Sequence, residues 1–284
     1  MAVWRLLRSG FADGATNMAV DEALAAAVAV GDRPPTLRLY GWRPPAVSLG
    51  YFQPLGEGID LAAIRARGYD LVRRPTGGRA ILHADELTYS VCVRQDAIRG
   101  GHSTMQSYRE ISRGIIAGLE LLGGQVTLGD ADGPRSSAPA EGAAHPICFA
   151  KTARCDLQAQ GRKVVGSAQV RRDGGILQHG SIPITIDLAN HIAVMPGGDR
   201  RVASRVLAGA AMSVSELLGR AVSYEALADA VARGFAEALG VELLEGELSA
   251  EERTAAHRLR EEKHATREWT QQRLAIGNRQ WADG

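Results

Sequence analysis

Short β-forming runs alternate irregularly with helical stretches along this chain, and this alternation limits its possible folds more than any other feature. Strand patterns occupy residues 36–40 and 46–52, whereas residues 103–122 carry apolar residues at helical spacing and end at two glycines. Three further strand-like runs, joined by glycine turns, predict a β-meander over residues 156–184. A strict strand–helix–strand rhythm is absent, so we predict the α+β class, with a mixed β-sheet packed by helices.

Capping residues predict where several helices begin. Asp13 or Thr16 can cap a helix that runs to about residue 30, where Gly31 ends it. Ser213 and Ser249 are each followed three residues later by a glutamate, which is the pattern of a capping box. The chain after the meander is therefore predicted to be helical.

The charge balance and the cysteine count exclude some functions. The 284 residues include 33 basic and 32 acidic side chains, which leaves a net charge of +1. A dedicated nucleic-acid-binding protein normally has a basic surplus, and no apolar run approaches the ~20 residues of a membrane span, so we expect neither nucleic acid nor membrane as a partner. Three cysteines cannot all pair within one chain, and no secretory signal precedes them. We therefore expect a cytoplasmic protein whose thiols are free or catalytic.

A basic segment at residues 73–83 surrounds two adjacent glycines. Adjacent glycines let the backbone approach a ligand and present N–H groups to an anion, and arginines add charge-assisted hydrogen bonds. From the residues alone, a plain basic hairpin turn is an equally open interpretation. We expect that neither glycine can carry a side chain. The candidate ligand-binding residues of this segment are Arg73, Arg74, Gly77, Gly78, Arg79 and His83.

A lysine begins a second segment of interest, an otherwise apolar strand. Lys163 is followed by Val164 and Val165, which indicates that the strand is buried, and a partly buried lysine has few purely structural explanations. In the next strand, His179 stands between a glutamine and Gly180, where it is either a core histidine or a pocket residue.

Cys148 is the main candidate thiol. It follows residues 129–146, a stretch rich in small and turn-forming residues that we predict to be a mobile surface loop, either a tolerated insertion or an active-site flap. A buried structural thiol remains open for Cys148. Cys155 is a second candidate, whereas Cys92 lies in an apolar run typical of core packing.

Taken in order, these segments resemble the biotin/lipoate protein ligase and transferase superfamily, and the match to its octanoyltransferase branch of LipM type is close. The resemblance runs from about residue 17 to residue 245 and continues weakly through residues 268–270. The order and spacing of the motifs are specific to the superfamily. The segments that carry the resemblance are residues 18–23, 73–83, 86–90, 148–149, 161–169 and 177–183.

The resemblance implies a mixed sheet packed by helices, as in biotin protein ligases, and transfer of an octanoyl group. The donor would be octanoyl-acyl carrier protein, and the acceptor a lysine of a lipoyl-domain protein, typically the glycine cleavage H protein. Cys148 would carry the acyl thioester and Lys163 would assist it, with no ATP, metal ion or other cofactor required. The turn at residues 73–78 would help to form the acyl pocket. The further substrate-binding candidates are Gly166, Ser167, Gln169, His179 and Gly180.

The same comparison suggests two parts of the chain. Residues 1–245 would form an acyltransferase catalytic domain with its core at about residues 33–245, and residues 246–284 a charged helical C-terminal extension.

The chemistry of the residues agrees with acyl transfer. A free thiol has a pKa of about 8.5, and a nearby ammonium such as that of Lys163 lowers the pKa of a thiol and raises its thiolate fraction. Transfer from a thioester to an amine is downhill, so ATP is not needed. Three alternatives remain open at this point: an ATP-dependent lipoate ligase, an amidotransferase between lipoyl domains, and a non-enzymatic acyl-protein carrier.

Overall fold

The computed structural model describes residues 1–129 and 156–272. Within these residues the larger sheet has the strand order β11-β1-β2-β6-β10-β9-β8-β7. The β11–β1 and β1–β2 pairs are parallel, and the remaining pairs are antiparallel. The strands of this sheet are β1 (Ala2–Ala12), β2 (Thr36–Trp42), β6 (Glu86–Arg94), β7 (Thr127–Leu128), β8 (Leu157–Ala159), β9 (Arg162–Arg172), β10 (Gly175–Pro183) and β11 (Val241–Glu245).

A smaller sheet, with the order β4-β3-β5, lies beside the larger one. Its middle strand β3 (Ala46–Leu49) pairs in parallel with β4 (Asp70–Arg73) and antiparallel with β5 (Ile81–His83). Because β4 and β5 flank the segment 74–80, the basic glycine segment found in the sequence is the turn that connects two strands of this sheet. The predicted α+β class with a mixed sheet is confirmed.

Helices cover both faces of the larger sheet. One face carries α3 and α7, whose Ile115 and Phe235 join the main apolar core, and the other carries α1 and α8. The helices of the described residues are α1 (Gly14–Ala29), α2 (Leu61–Ala66), α3 (Thr104–Leu121), α4 (Leu188–Ala193), α5 (Arg200–Ala210), α6 (Val214–Leu218), α7 (Tyr224–Leu239), α8 (Ala250–Leu259) and α9 (Arg267–Gln271), with a 3₁₀ turn at Gln95–Ala97 and a π-helical turn at Arg260–His264.

Two glycines allow α3 and α7 to touch. A Cβ placed on Gly234 would overlap the backbone of Gly118, so the two helices approach at a distance that only glycine permits. This contact brings the apolar stripe of α3, predicted from its spacing, onto the sheet.

The capping predictions hold in most places. Asp13 accepts a hydrogen bond from the backbone of Thr16 at the start of α1, and Ser249 forms a full capping box with Glu252. Ser213 also caps its helix, but the side chain of Glu216 pairs with Arg162, so the second box is only half formed.

The prediction of a purely helical end to the chain was wrong at β11. This strand pairs in parallel with β1 at the edge of the sheet. Its short pattern, Val-Glu-Leu-Leu-Glu, is hard to distinguish from a helical turn because it is half exposed and directly follows a helix.

The described part of the C-terminal region packs on the rest of the chain. α8 lies against α1, and Glu252 pairs with Arg5 of β1 at 2.6 Å. The predicted boundary at residue 245 stays a prediction. No helix among the described residues is long and apolar enough to cross a membrane.

Candidate active site

A cavity of about 270 Å³ lies between the two sheets, a size close to the lower end of small-molecule pockets. Its apolar wall includes Met18, Trp42 and Ile81. Of the residues predicted from the turn segment, those that line the cavity are Arg74, Gly78, Arg79 and His83. Of those predicted from the strands β9 and β10, those that line it are Lys163, Gly166, Ser167, His179 and Gly180. Motifs about a hundred residues apart in the sequence therefore meet around one space.

Three predicted residues do not line the cavity: Arg73, Gly77 and Gln169. Gln169 lies on β9 but its amide donates to Gln178 and its carbonyl accepts from Ser107 of α3, so its side chain points to the α3 side of the sheet. Gly77 belongs to the turn, and its carbonyl accepts from Arg74.

The two glycines of the turn differ in what they tolerate. Gly78 has a φ of +93°, which side-chain-bearing residues rarely adopt, and a Cβ there would lie 2.7 Å from Arg74 Nη2. A Cβ on Gly77 would meet nothing within 4 Å. The expectation that neither glycine can carry a side chain therefore needs correction, because the backbone and the space restrict only Gly78.

Arg74 holds the turn in shape. Its guanidinium, 7% exposed as a residue, donates to the Ser48 carbonyl at 3.0 Å and to the Ser48 hydroxyl at 3.0 Å. It also donates to the carbonyl oxygens of Gly77 and Arg79, both at 2.7 Å. Arg74 thus ties β3 to the turn while its side chain forms part of the cavity wall.

Arg73 faces the opposite way and is fully buried. Its guanidinium donates to five carbonyl oxygens, and the indole N–H of Trp269 donates back to the Arg73 carbonyl at 2.9 Å. Burial lowers the pKa of Arg73 from its ordinary value. The five acceptors and their distances are Gly50 (2.7 Å), Tyr51 (2.9 Å), Gln53 (2.7 Å), Trp269 (3.2 Å) and Thr270 (2.9 Å).

A carboxylate–histidine–hydroxyl chain leads to the cavity from β6. A carboxylate can only accept, so His83 Nδ1–H donates to Glu86 Oε1 at 2.8 Å, and His83 Nε2 then accepts from the Ser48 hydroxyl at 2.8 Å. Trp42 stacks on the His83 ring at a centroid distance of 4.0 Å. Burial would raise the pKa of Glu86, but His83 and two hydroxyl donors outweigh it, so the pKa of Glu86 is lowered and the carboxylate stays ionised.

A second chain of the same type leads from α1. Asp21 Oδ2 accepts from His179 Nδ1–H at 3.1 Å, and His179 Nε2 accepts from the Thr76 hydroxyl at 2.6 Å. The Thr76 and Ser48 side chains are fully buried, so both hydroxyls tether the turn to the sheet rather than serve as nucleophiles.

The ionisation of this second chain follows from its surroundings. Burial would raise the pKa of Asp21, but the Arg38 guanidinium at 2.7 Å and the His179 hydrogen bond lower it to about 2. Burial lowers the pKa of His179, so its imidazole is neutral at neutral pH and can accept the Thr76 proton.

Lys163 occupies the other wall of the cavity and is only 8% exposed. Its ammonium pairs with the Asp156 carboxylate at 2.9 Å, and Asp156 also lines the cavity. The backbone N–H of Gly129 donates to the Asp156 carbonyl at 2.9 Å. The last residue of the first described range and the first residue of the second therefore meet here. The sequence predicted the Cys148 thiolate as the partner of Lys163. Among the described residues, the partner that the structure shows is the Asp156 carboxylate.

Of the three cysteines, only Cys92 lies within the described residues. Cys148, Cys155 and residues 130–146 lie outside the described residues. Cys92 is buried on β6, as its apolar surroundings predicted, and burial raises its pKa well above the ordinary value, so it is not a nucleophile at neutral pH.

Several residues of the site were not assigned from the sequence: Asp21, Ser48, Thr76, Glu86 and Asp156. Asp21 and Glu86 lie in segments that carried the family resemblance, and Glu86 follows His83 by three residues, which is a spacing that could have suggested the pair. The Asp21–His179 contact joins residues 158 positions apart, so no local signal points to it.

The family comparison places this geometry in context. A model of the family described as the lipoyl protein ligase A/B catalytic domain matches residues 13–236. A curated relative from Symbiobacterium thermophilum, named octanoyltransferase LipM, is 47% identical over 269 residues, which cover 94% of this chain and 97% of the relative. A second of the same name, from Moorella thermoacetica, is 40% identical over 273 residues, covering 95% and 98%.

Solved structures agree in fold. A lipoate-protein ligase A bound with ATP superposes with a TM-score of 0.77 at 27% identity, covering 95% of this chain and 99% of that one. A bipartite lipoate protein ligase from Thermoplasma acidophilum, solved in a study with its E2 lipoyl domain, gives a TM-score of 0.78 at 25% identity, covering 97% and 98%. The cavity described above therefore sits in a fold shared with enzymes that attach acyl groups to proteins.

Proposed function

The chain belongs to the lipoyl protein ligase A/B catalytic domain family and is an octanoyltransferase of protein lipoylation, and we propose that it uses Cys148 as the acyl carrier. In this proposal the octanoyl group comes from octanoyl-acyl carrier protein. It passes through a thioester on Cys148 to a lysine of a lipoyl-domain protein such as the glycine cleavage H protein. Neither ATP nor a metal ion takes part.

The observation that carries the proposal is the buried Lys163–Asp156 pair at the wall of the cavity. A buried ion pair costs desolvation free energy, and this one stands where a reacting group would lie. Cys148 precedes Asp156 by eight residues in the sequence, so the chain that bears the thiol rejoins the described structure at this pair.

The first step exchanges one thioester for another. The Cys148 thiolate attacks the carbonyl carbon of the donor thioester, a new C–S bond forms, and the carrier thiol leaves with the electron pair of the broken C–S bond. A lysine ammonium near the sulfur favours the thiolate over the thiol and so increases the nucleophilic fraction. Asp156 fixes the direction of the Lys163 ammonium through their hydrogen-bonded pair.

The second step forms the amide. The neutral amine of the acceptor lysine attacks the thioester carbon, the C–N bond forms, and Cys148 leaves as the thiolate. The attacking nitrogen must release a proton, and the Asp156 carboxylate, which pairs with Lys163 at the cavity wall, is placed to receive it.

The cavity suits an acyl chain. Burial of about seven methylene-sized units is worth roughly 5 kcal/mol at ~0.8 kcal/mol each. Met18, Trp42 and Ile81 supply apolar surface for such contacts, and the turn at residues 74–80 closes the space beside them. This free energy can select chain length without many polar contacts.

A transfer assay without ATP tests the proposal. The protein is mixed with octanoyl-acyl carrier protein and apo-H protein, and both the enzyme and the acceptor are weighed by intact mass spectrometry. We expect one octanoyl adduct on the enzyme when the acceptor is absent, and octanoylated H protein when it is present. Cys148→Ala should abolish both products, whereas the matched variant Cys155→Ala should retain them.

Each alternative has its own result in this assay. Acceptor modification that requires ATP and octanoate would show a ligase, and transfer only from an octanoylated lipoyl-domain donor would show an amidotransferase. An adduct that survives Cys148→Ala and vanishes in Cys155→Ala would move the thioester to the other thiol.

A further inference from the structure

The C-terminal part of helix α5 packs against two residues of the cavity wall. Its buried Leu207 belongs to an apolar cluster that includes Ile81, which lines the cavity. Just after the C-terminal end of α5, Ala211 forms a β-bridge with Lys163, and the backbone N–H of Met212 donates to the Lys163 carbonyl at 2.9 Å. One helix therefore touches both the turn side and the lysine side of the site.

The outer face of α5 is cationic. Arg200, Arg201 and Arg205 are all exposed, and Arg201 and Arg205 are four residues apart, so they share one face of the helix. Across residues 1–129 and 156–272, no salt bridge or hydrogen bond engages any of these three guanidinium groups. Asp199, the nearest acid in the sequence, instead caps the helix by accepting from the backbone of Arg201.

A further exposed arginine lines the cavity itself. Arg79 is exposed at the rim and lines the cavity. Glu216, an acid near this side, pairs with Arg162 at 2.7 Å, and the Arg162 guanidinium also bonds to the carbonyl of Ala208 in α5. Glu216 is therefore already paired with Arg162, and the α5 arginines remain available to a partner.

We propose that the outer face of α5, with Arg200, Arg201 and Arg205, is the docking surface for the acidic carrier protein that delivers the acyl thioester. This proposal rests on the proposed function and names where its donor binds. Exposed arginines that hold no internal contact contribute little to folding, but a cluster of them steers an acidic partner and raises its association rate.

Charge also favours the donor over the acceptor at this surface. The acceptor must bring a lysine side chain to the cavity, and a cationic rim repels an ammonium. The donor brings a neutral acyl thioester, so a positive surface attracts its acidic carrier without opposing the reacting group.

The test compares two donors that share the same thioester. Octanoyl-acyl carrier protein presents it on a protein surface, whereas octanoyl-pantetheine presents it without protein or phosphate. For Arg201→Glu/Arg205→Glu we expect kcat/KM with the carrier-borne donor to fall ~10-fold or more at low salt, and the loss to shrink as salt rises. The rate of Cys148 octanoylation by octanoyl-pantetheine should stay within about twofold of wild type, because rim charges act on the partner's encounter rather than on the reaction.

A matched control is available on α3. Arg109 and Arg113 are also exposed and four residues apart, on a helix that packs mainly against α7. Arg113 pairs with Glu110 of the same helix at 2.9 Å, a surface contact that contributes little to stability. Arg109→Glu/Arg113→Glu introduces the same charge change and should leave kcat/KM for both donors unchanged.

The other outcomes overturn the proposal. An equal loss with both donors would mean that the α5 substitutions damage the cavity, and an unchanged carrier-borne rate would mean that α5 does not bind the carrier. A raised KM for the lipoyl-domain acceptor alone would assign the surface to the acceptor. Octanoylation of the wild type by octanoyl-pantetheine reports on the proposed function independently of α5.

Discussion

Adjacent residues in two motifs of this protein serve two different regions. Arg74 and Asp21 serve the cavity: Arg74 shapes the turn, and Asp21 fixes His179, which lines the cavity. Their neighbours Arg73 and Glu22 bind the C-terminal clamp, which we define as residues 260–271. Arg73 binds the carbonyls of Trp269 and Thr270, and Glu22 binds Lys263 and His264.

The difference between these regions lies in how their charges are used. In the cavity, carboxylates and histidines form chains that lead to a ligand-sized space. At the clamp, the Arg73 guanidinium donates hydrogen bonds to carbonyl oxygens, and the charged side chains of Lys263 and Glu22 pair with each other. The Lys263 ammonium also lies over the Trp269 ring, 4.0 Å from its centroid. We infer that the clamp stabilises the side of the turn that faces away from the cavity, whereas the residues on the cavity side serve acyl transfer.

Removal of Trp269 should have the largest effect on stability. Trp269→Ala deletes a buried indole and leaves the Arg73 carbonyl without its N–H donor, so we expect a loss of about 3–5 kcal/mol in the free energy of unfolding, measured in urea. Trp269→Phe keeps most of the packing and should cost about 1 kcal/mol. At 25 °C the folded Trp269→Phe enzyme should transfer octanoyl at close to the wild-type rate. A loss of activity in Trp269→Phe as large as that from a change in the turn would place the clamp within the active site.

A matched pair of glycine substitutions tests the cavity side. Gly78→Ala forces a side chain into a positive φ and against Arg74, so we expect acyl transfer to fall on the order of 100-fold through displacement of the turn. Gly77→Ala meets open space and should retain at least half of the wild-type kcat/KM. Equal losses in both variants would show that the turn tolerates no side chain at either position.

The third prediction concerns pH and the clamp. Burial would raise the pKa of Glu22, but the His264 hydrogen bond and the Lys263 charge lower it to about 2, from 4.5. Because the folded-state pKa lies below the unfolded one, the pair stabilises the fold fully above pH 4.5, and this contribution disappears as the pH falls toward 2.

The variant Glu22→Gln isolates this effect. At pH 7 it should be less stable than wild type by about 1 kcal/mol, and the difference in Tm should shrink as the pH is lowered from about 4.5 to 2. Asp21 and His179 titrate in both proteins and therefore cancel from the comparison. A Tm difference that stays constant with pH would show that Glu22 acts through packing rather than through its charge.

The sequence predicted local features well and long-range pairings poorly. The turn, the Lys163 strand and the helix caps depend on nearby residues, and the structure contains them. Which way Arg73 and Arg74 point could not be predicted, because successive residues of a strand face opposite sides and only the fold decides which side holds a cavity. The strand β11 and the Asp21–His179 contact depend on partners more than 150 residues away, so no local pattern encodes them.

Asp156 shows the same limit at the site itself. The sequence predicted that Lys163 needs a partner, and the structure supplies a carboxylate seven residues before it, across the β8–β9 turn. A pairing across a short hairpin can be predicted from the sequence only if the register of the two strands is known. Here a regular register would be the wrong assumption, because the register of β8 and β9 shifts between Leu157 and Gln158.

The pH dependence of Cys148 alkylation with iodoacetamide shows whether Lys163 activates the Cys148 thiol. The measurement uses a Cys155→Ala background, and Cys92 does not interfere because it is buried. We predict that Lys163→Ala moves the alkylation midpoint upward, toward the ~8.5 of a free thiol, whereas Lys163→Arg, which keeps the positive charge, leaves it near the wild-type value. An identical midpoint in the Lys163→Ala variant and its parent would mean that Lys163 does not activate Cys148.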